Sequence, residues 1–186
     1  MTATYPDLTS LTGTYQLDPA HSRLGFVARH AMVTKVRGAF NDFTGTATID
    51  GADPGRSSVT VTMNADSIDT RNADRDAHLR GSDFLELETY PEITFASTAV
   101  GQTGEGAFDV TGDLRVKGVT RSITIPLTFE GAAQDPFGNE RIGLEGSVAI
   151  SRKDFGITWN AALETGGVLV GDKVVLEFEI SAIKSA

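Results

Sequence analysis

Asp74 and His78 stand four residues apart in RNADRDAHLRGSDFLE, residues 71–86, a stretch that crowds aspartate, arginine and histidine together. On a helix such a pair shares one face, so it offers either a proton-transfer couple or two ligands for a metal. A transition-metal site needs further converging ligands, which would have to come from His21 or His30 on other elements. The chain has no H-E-x-x-H spacing and no cysteine. Asp18, His21 and Ser22 supply the residue types of a hydrolase. Neighbours at one turn rarely converge as nucleophile, base and orienter, and no G-x-S-x-G elbow is present. LDPAHS reads instead as a tight turn in which Asp18 and Ser22 bond the backbone. GQTGEG (101–106) lacks the strand-to-helix setting of a phosphate loop and reads as a hairpin connection.

The elements that must position these residues are mostly strands. Apolar residues recur with period two between Gly, Asp, Asn and Pro punctuation. Leu24, Phe26, Ala28 and His30 share a face, as do Phe43, Gly45, Ala47 and Ile49, with Phe40 out of step behind Asn41-Asp42 as at a bulge. Val59, Val61, Met63 and Ala65 follow, then Ile93 and Phe95; Phe108, Val110, Gly112, Leu114 and Val116; Ile123, Ile125, Leu127 and Phe129. Ile142 to Ile150 and Val174 to Ile180 complete a meander of seven to nine strands. Residues 71–86 are the exception. Leu79, Phe84 and Leu85 make that segment an amphipathic helix able to lie over a barrel end, with Asp76 and Arg80 paired on its outer face.

The 186 residues fit one domain, read as an N-terminal arm over 1–12 and a single domain over 13–186. A net charge of −9 opposes binding to nucleic acid or anionic surfaces in general. With no cysteine there are no disulfides and no thiolate metal site. MTATYPDLTSLTGTY lacks the basic start and apolar run of a signal peptide, so the sequence-based expectation is a cytoplasmic protein, and no segment reaches the ~20 apolar residues of a stable membrane-spanning helix. Strict alternation leaves each strand apolar on one side. The fold class expected is therefore all-β: an antiparallel, up-and-down barrel of about eight strands with a short helix covering one end, a two-layer sandwich being the rival. A barrel of that size is either filled by its own side chains or holds one small ligand. Edge strands leave a homodimer open.

TYQLDPAHSRLGFVARH, VRGAFNDFTG, SIDTRNADRDAHLRGSDFLELETYPEITF, VTGDLRVKGVTRSITIPL and ISRKDFGITW occur in the order found in the YceI-like family of polyisoprenoid-binding proteins, which this chain resembles from about Tyr15 onward. The resemblance implies a lipocalin-like barrel with a hydrophobic tunnel that holds an isoprenoid chain, its mouth partly covered by a helix, in proteins commonly exported to the periplasm. Alternation together with that tunnel marks Phe26, Phe43, Phe95, Phe108, Leu114 and Phe129 as wall, Leu79, Phe84 and Leu85 as gate, and His30 and Trp159 as further ligand-facing candidates. The expected function is non-catalytic binding, storage or transport of a polyisoprenoid or isoprenoid-tailed quinone, a hydrophobic small-molecule partner, with no cofactor or metal required. The alternatives are an enzyme acting on a hydrophobic substrate through His30, His78 or Asp76 at the barrel mouth, and a scaffold whose interior is packed solid.

Overall fold

The computed structural model describes residues 7–185. The first six residues of the expected N-terminal arm lie outside that range. In chain order the elements are β1 (Gly13–Leu17), β2 (Arg23–His30), β3 (Thr34–Phe40), β4 (Phe43–Ile49), β5 (Ser58–Asn64), β6 (Ile68–Asp69), α1 (Ala73–Arg80), β7 (Glu92–Gly104), β8 (Ala107–Val116), β9 (Val119–Gln134), β10 (Glu140–Ser151) and β11 (Val170–Lys184). β1 pairs with β4 on one side and β11 on the other, and β4-β5-β7-β8-β9-β10-β11 are each antiparallel to the next, so the sheet closes into an eight-stranded barrel.

Three staves of this barrel are broken into halves. β2 continues beyond β1 along the same edge of β11, β3 precedes β4, and β6 follows β5. Two of the breaks are polar turns that cap themselves. The Asp18 carboxylate accepts from Ala20 N at 3.0 Å, and Asn64 Oδ1 accepts from Asp66 N at 3.1 Å. At Asn41-Asp42 the structure has one of these breaks rather than a bulge. Alternation works as expected where the strands are continuous. On β8, Val110, Gly112, Leu114 and Val116 are buried and the intervening Asp113 and Arg115 are exposed. The β8–β9 hairpin turns on Lys117 and Gly118, both at positive φ, which matches the twist of the strands it joins.

The barrel has two differently built ends. At one, Phe84, Leu85, Ile68, Ile93, Phe155 and Ile157 pack together. At the other, Leu11, Tyr15, Phe129, Ile142 and Ala182 form a separate cluster. The helix is shorter than the sequence suggests. α1 is capped by Asn72, which accepts from Arg75 N at 2.9 Å, and it stops at Gly81 after eight residues. Phe84 and Leu85 therefore come from the turn after the helix, where Leu85 N donates to Leu79 O at 3.0 Å, and they enter the bore as a plug. Asp76 and Arg80 do not pair. Asp76 is buried and accepts from Thr70 N (2.9 Å) and Thr70 Oγ1 (2.5 Å), while Arg80 pairs with Asp66 at 3.1 Å.

Arg141 ties the second end together. Its Nε donates to Asp135 Oδ2 and its Nη1 to Asp18 Oδ2, each at 2.7 Å. The guanidinium holds both carboxyls below the usual aspartate range, Asp135 far below it, with smaller help from Asn139 at Asp135 and from His21 at Asp18. A carboxylate whose pKa is depressed by folding stabilises the native state above its unfolded pKa and loses that contribution as pH falls through the folded value. The urea midpoint is expected to drop between ~pH 4 and ~pH 2, with a shallower drop in Arg141→Gln. Equal acid slopes in the two proteins would contradict this assignment.

Candidate functional site

Between the two end clusters the barrel encloses a cavity of about 220 Å³. Packed interiors leave few voids larger than one water molecule, whose share of the liquid is about 30 Å³. The interior is therefore open rather than interlocked. The walls are aliphatic and aromatic side chains from β1 to β5 and β7 to β11, and the polar residues at their margin are Thr48, Asp50, Ser57 and Ser58, of which Thr48 and Ser58 are exposed and Asp50 accepts from Ala52 N and Asp53 N. All four belong to the end of β4, the start of β5 and the connection between them. An apolar bore with polar groups at one end suits a ligand with a greasy body and a polar terminus.

Of the residues picked from the sequence, Phe95, Phe108, Leu114 and Phe129 line this cavity. Phe26 stacks on Phe40 at 5.8 Å, and Phe43 is buried in a small cluster with Leu17 and Leu24; neither is in the lining. Leu79, Phe84 and Leu85 belong to the packed end, walled off from the cavity by the core they form with Ile93 and Phe155. Trp159 sits there too. Its ring meets His78 edge-on at 4.8 Å and Phe84 at 5.4 Å, and His78 Nε2 lies 2.9 Å from Asp83 Oδ2. His78 is thus committed to Asp83 and two aromatic rings. His30 is exposed at the end of β2.

What covers the cavity is a segment that periodicity could not single out. Residues 8–11 form one 3-10 turn, and its Leu8 and Leu11 reach into the lining. The turn is latched from three directions: Tyr15 Oη donates to Leu11 O at 2.9 Å, Gly51 N donates to Thr12 Oγ1 at 3.0 Å, and Gly51 packs directly on the Leu8 carbonyl. A Cβ at position 51 would collide with that carbonyl, which is backbone and cannot rotate away. Gly51→Ala is expected to displace the turn and speed entry of a hydrophobic dye several-fold, with the far-ultraviolet circular dichroism unchanged. An unaltered entry rate would show that ligands pass elsewhere.

The residues with catalytic or ligating character are occupied in structural work. Asp18 caps a turn, lies 2.7 Å from His21 Nδ1 and binds Arg141; Ser22 Oγ donates to Ser181 O (3.0 Å) and accepts from Ser181 N (2.9 Å). That serine is tied to β11 rather than aligned on the imidazole. Among the described residues no group of three or more His, Asp or Glu is placed to hold a metal ion, and no helix is long and apolar enough to cross a membrane. Among the described residues Arg152 is the one buried arginine: its Nε, Nη1 and Nη2 donate to the carbonyls of Gly171, Ile157 and Val170 at 2.9, 2.9 and 3.3 Å. Burial pulls its pKa down and nearby Asp172 opposes that.

Residues 15–182 match the model of the YceI-like domain. A UPF0312 protein of Ectopseudomonas mendocina is 43% identical over 138 residues, covering 74% of this chain and 72% of that protein. The crystal structure of Burkholderia cenocepacia BcnA superposes with a TM-score of 0.76 at 27% identity, covering 89% of this chain and 98% of that one. A polyisoprenoid-binding domain from Saccharophagus degradans, implicated in plant cell wall breakdown, shares the fold with a TM-score of 0.69 at 17% identity over 92% of this chain and 98% of its own. With the family model matched from β1 into β11 over residues 15–182, the chain belongs to the YceI-like domain family.

Proposed function

We propose that this protein binds and carries a long apolar molecule of the polyisoprenoid class, an isoprenoid-tailed quinone included, without transforming it. The observation that carries this reading is the cavity: an apolar bore inside a closed barrel, with Thr48, Asp50, Ser57 and Ser58 gathered at one end. The likeness in fold to a polyisoprenoid-binding domain supports it. Each methylene moved from water into such a bore contributes about 0.8 kcal/mol, so a tail of some fifteen carbons gains roughly 10 kcal/mol before the costs of immobilisation. Affinity then needs no directed polar contact along the chain. The polar rim meets the ligand's terminus, and the bore selects for length and girth.

Catalysis finds less support, because the side chains expected to transfer protons lie away from the cavity: His30 is on the outer surface, His78 is bound by Asp83, and Asp76 is spent on Thr70. Native mass spectrometry of protein purified without detergent is the test. Recovery of a lipid-sized adduct is expected; recovery of bare protein under conditions that retain hydrophobic ligands would overturn the proposal.

A further inference from the structure

The chain carries a net charge of −9, yet one groove on its surface is lined by His30, Lys35, Arg37, Arg71 and Arg75 with no carboxylate among its lining residues. It runs beside β3 at the end of the barrel that holds α1. Part of this is explained locally. Arg37 reaches Glu177 at 3.4 Å, and cations on an unpaired strand edge deter further strand addition. Arg71 comes from the β6–α1 connection and Arg75 from the first turn of α1, and that reason does not cover them. Arg75 is held in place by Thr70, to which its Nε and Nη2 donate at 2.8 and 2.7 Å, and Thr70 is fixed in turn by buried Asp76. Arg71 adopts φ +66, a conformation unusual for arginine.

The groove does not end in polar surface. His30 and Thr34, both in its lining, frame the β2–β3 hairpin loop Ala31-Met32-Val33. Ala31 and Met32 have φ +50 and +62, where glycine or asparagine would be at ease. That strained turn projects Met32 and Val33, which are 60% and 73% exposed. Val168, also exposed, is carried beside them by a loop whose Leu169 carbonyl accepts from Ala31 N at 2.7 Å. Three of the four exposed large hydrophobic residues among the described positions thus gather at one tip, rimmed by a basic groove; the fourth, Phe137, is at the other end of the barrel.

We propose that this tip docks on an anionic lipid surface, with Met32 and Val33 entering the interface and Lys35, Arg71 and Arg75 against lipid phosphates. Apolar residues backed by cations are the pairing such a surface recognises, and the negative remainder of the barrel is repelled by the same surface, so the protein arrives with this end foremost. The proposal does not depend on what the barrel holds, and its test reads association alone.

Sedimentation with vesicles is that test. The whole protein is expected to pellet with vesicles of phosphatidylcholine and phosphatidylglycerol at 3:1 and not with phosphatidylcholine alone, and to be released by raised salt. Each cation near such a surface is worth about fivefold, so Lys35→Gln combined with Arg71→Asn is expected to weaken association roughly 25-fold. Asparagine tolerates the left-handed backbone at 71. Met32→Ser weakens association further, and Phe137→Ser leaves it unchanged. Failure to pellet with the anionic vesicles, or wild-type association by the double variant, would overturn the proposal. So would saturable binding of inorganic phosphate that abolishes pelleting, which would give the groove to a soluble phosphorylated ligand.

Discussion

Replacing Phe108 by aspartate is expected to weaken uptake of a long apolar ligand more than a hundredfold while leaving the barrel folded. Phe108 lies on β8, where its register partners are Gln102 and Leu127, and its side chain lines the cavity. It packs against the Leu11–Phe129 cluster but is only half buried there, unlike Phe95 and Phe129 in the same wall, which are fully buried. A charge placed there therefore faces open space and costs the fold little when the cavity is empty. A bound tail would strip the carboxylate of water, a penalty of about 3 kcal/mol or more, which is over a hundredfold in affinity. Phe108→Leu keeps the wall apolar and is expected to bind within a few-fold of wild type. Displacement of a fluorescent polyene fatty acid, with circular dichroism as the folding control, measures both. Undiminished uptake by a folded Phe108→Asp protein would remove this residue from the ligand path.

The largest loss of stability is expected from Arg152→Leu. Arg152 is 5% exposed and satisfies three main-chain carbonyls, two of them at the start of β11 and one in the segment that follows β10. Leucine fills much of the volume but donates nothing. Each buried carbonyl left without a donor costs about 1–3 kcal/mol. Water reaching one of them moderates the sum, which leaves about 3 kcal/mol or more and lowers Tm by roughly 6–12 °C for a chain of this length. Differential scanning calorimetry reads the shift. A change under about 2 °C would show that the three contacts contribute little to holding the segment after β10 against the start of β11.

These two residues also mark how far the sequence could be read. Phe108 sits in a ten-residue strand with unbroken alternation, and period two alone assigns it to the inner face. The same holds for Phe95, Leu114 and Phe129, and it is why the eight-stranded closure was legible. Arg152 was not, because an arginine after a strand looks like surface in any local pattern; only the return of β11 brings two of its three carbonyl partners to it. The spacing of Phe84 and Leu85 continues that of Leu79 and so predicts a helical gate. Gly81 ends the helix first, and the following turn drives both side chains into the bore, so they close the end away from the polar rim. The cover over the cavity, Leu8 and Leu11, lies in a single 3-10 turn too short to show periodicity, held by Tyr15 and Gly51 from elsewhere in the chain.

The account rests most directly on where a greasy tail goes when the protein is loaded with one. A crystal structure of the protein saturated with an isoprenoid quinone is predicted to contain continuous elongated density inside the barrel, running from beneath Leu11 and Ile142 toward Phe95 and Leu114, with the polar terminus beside Thr48, Asp50 and Ser57. Density confined to the outer surface, or a bore closed by repacked side chains, would contradict it.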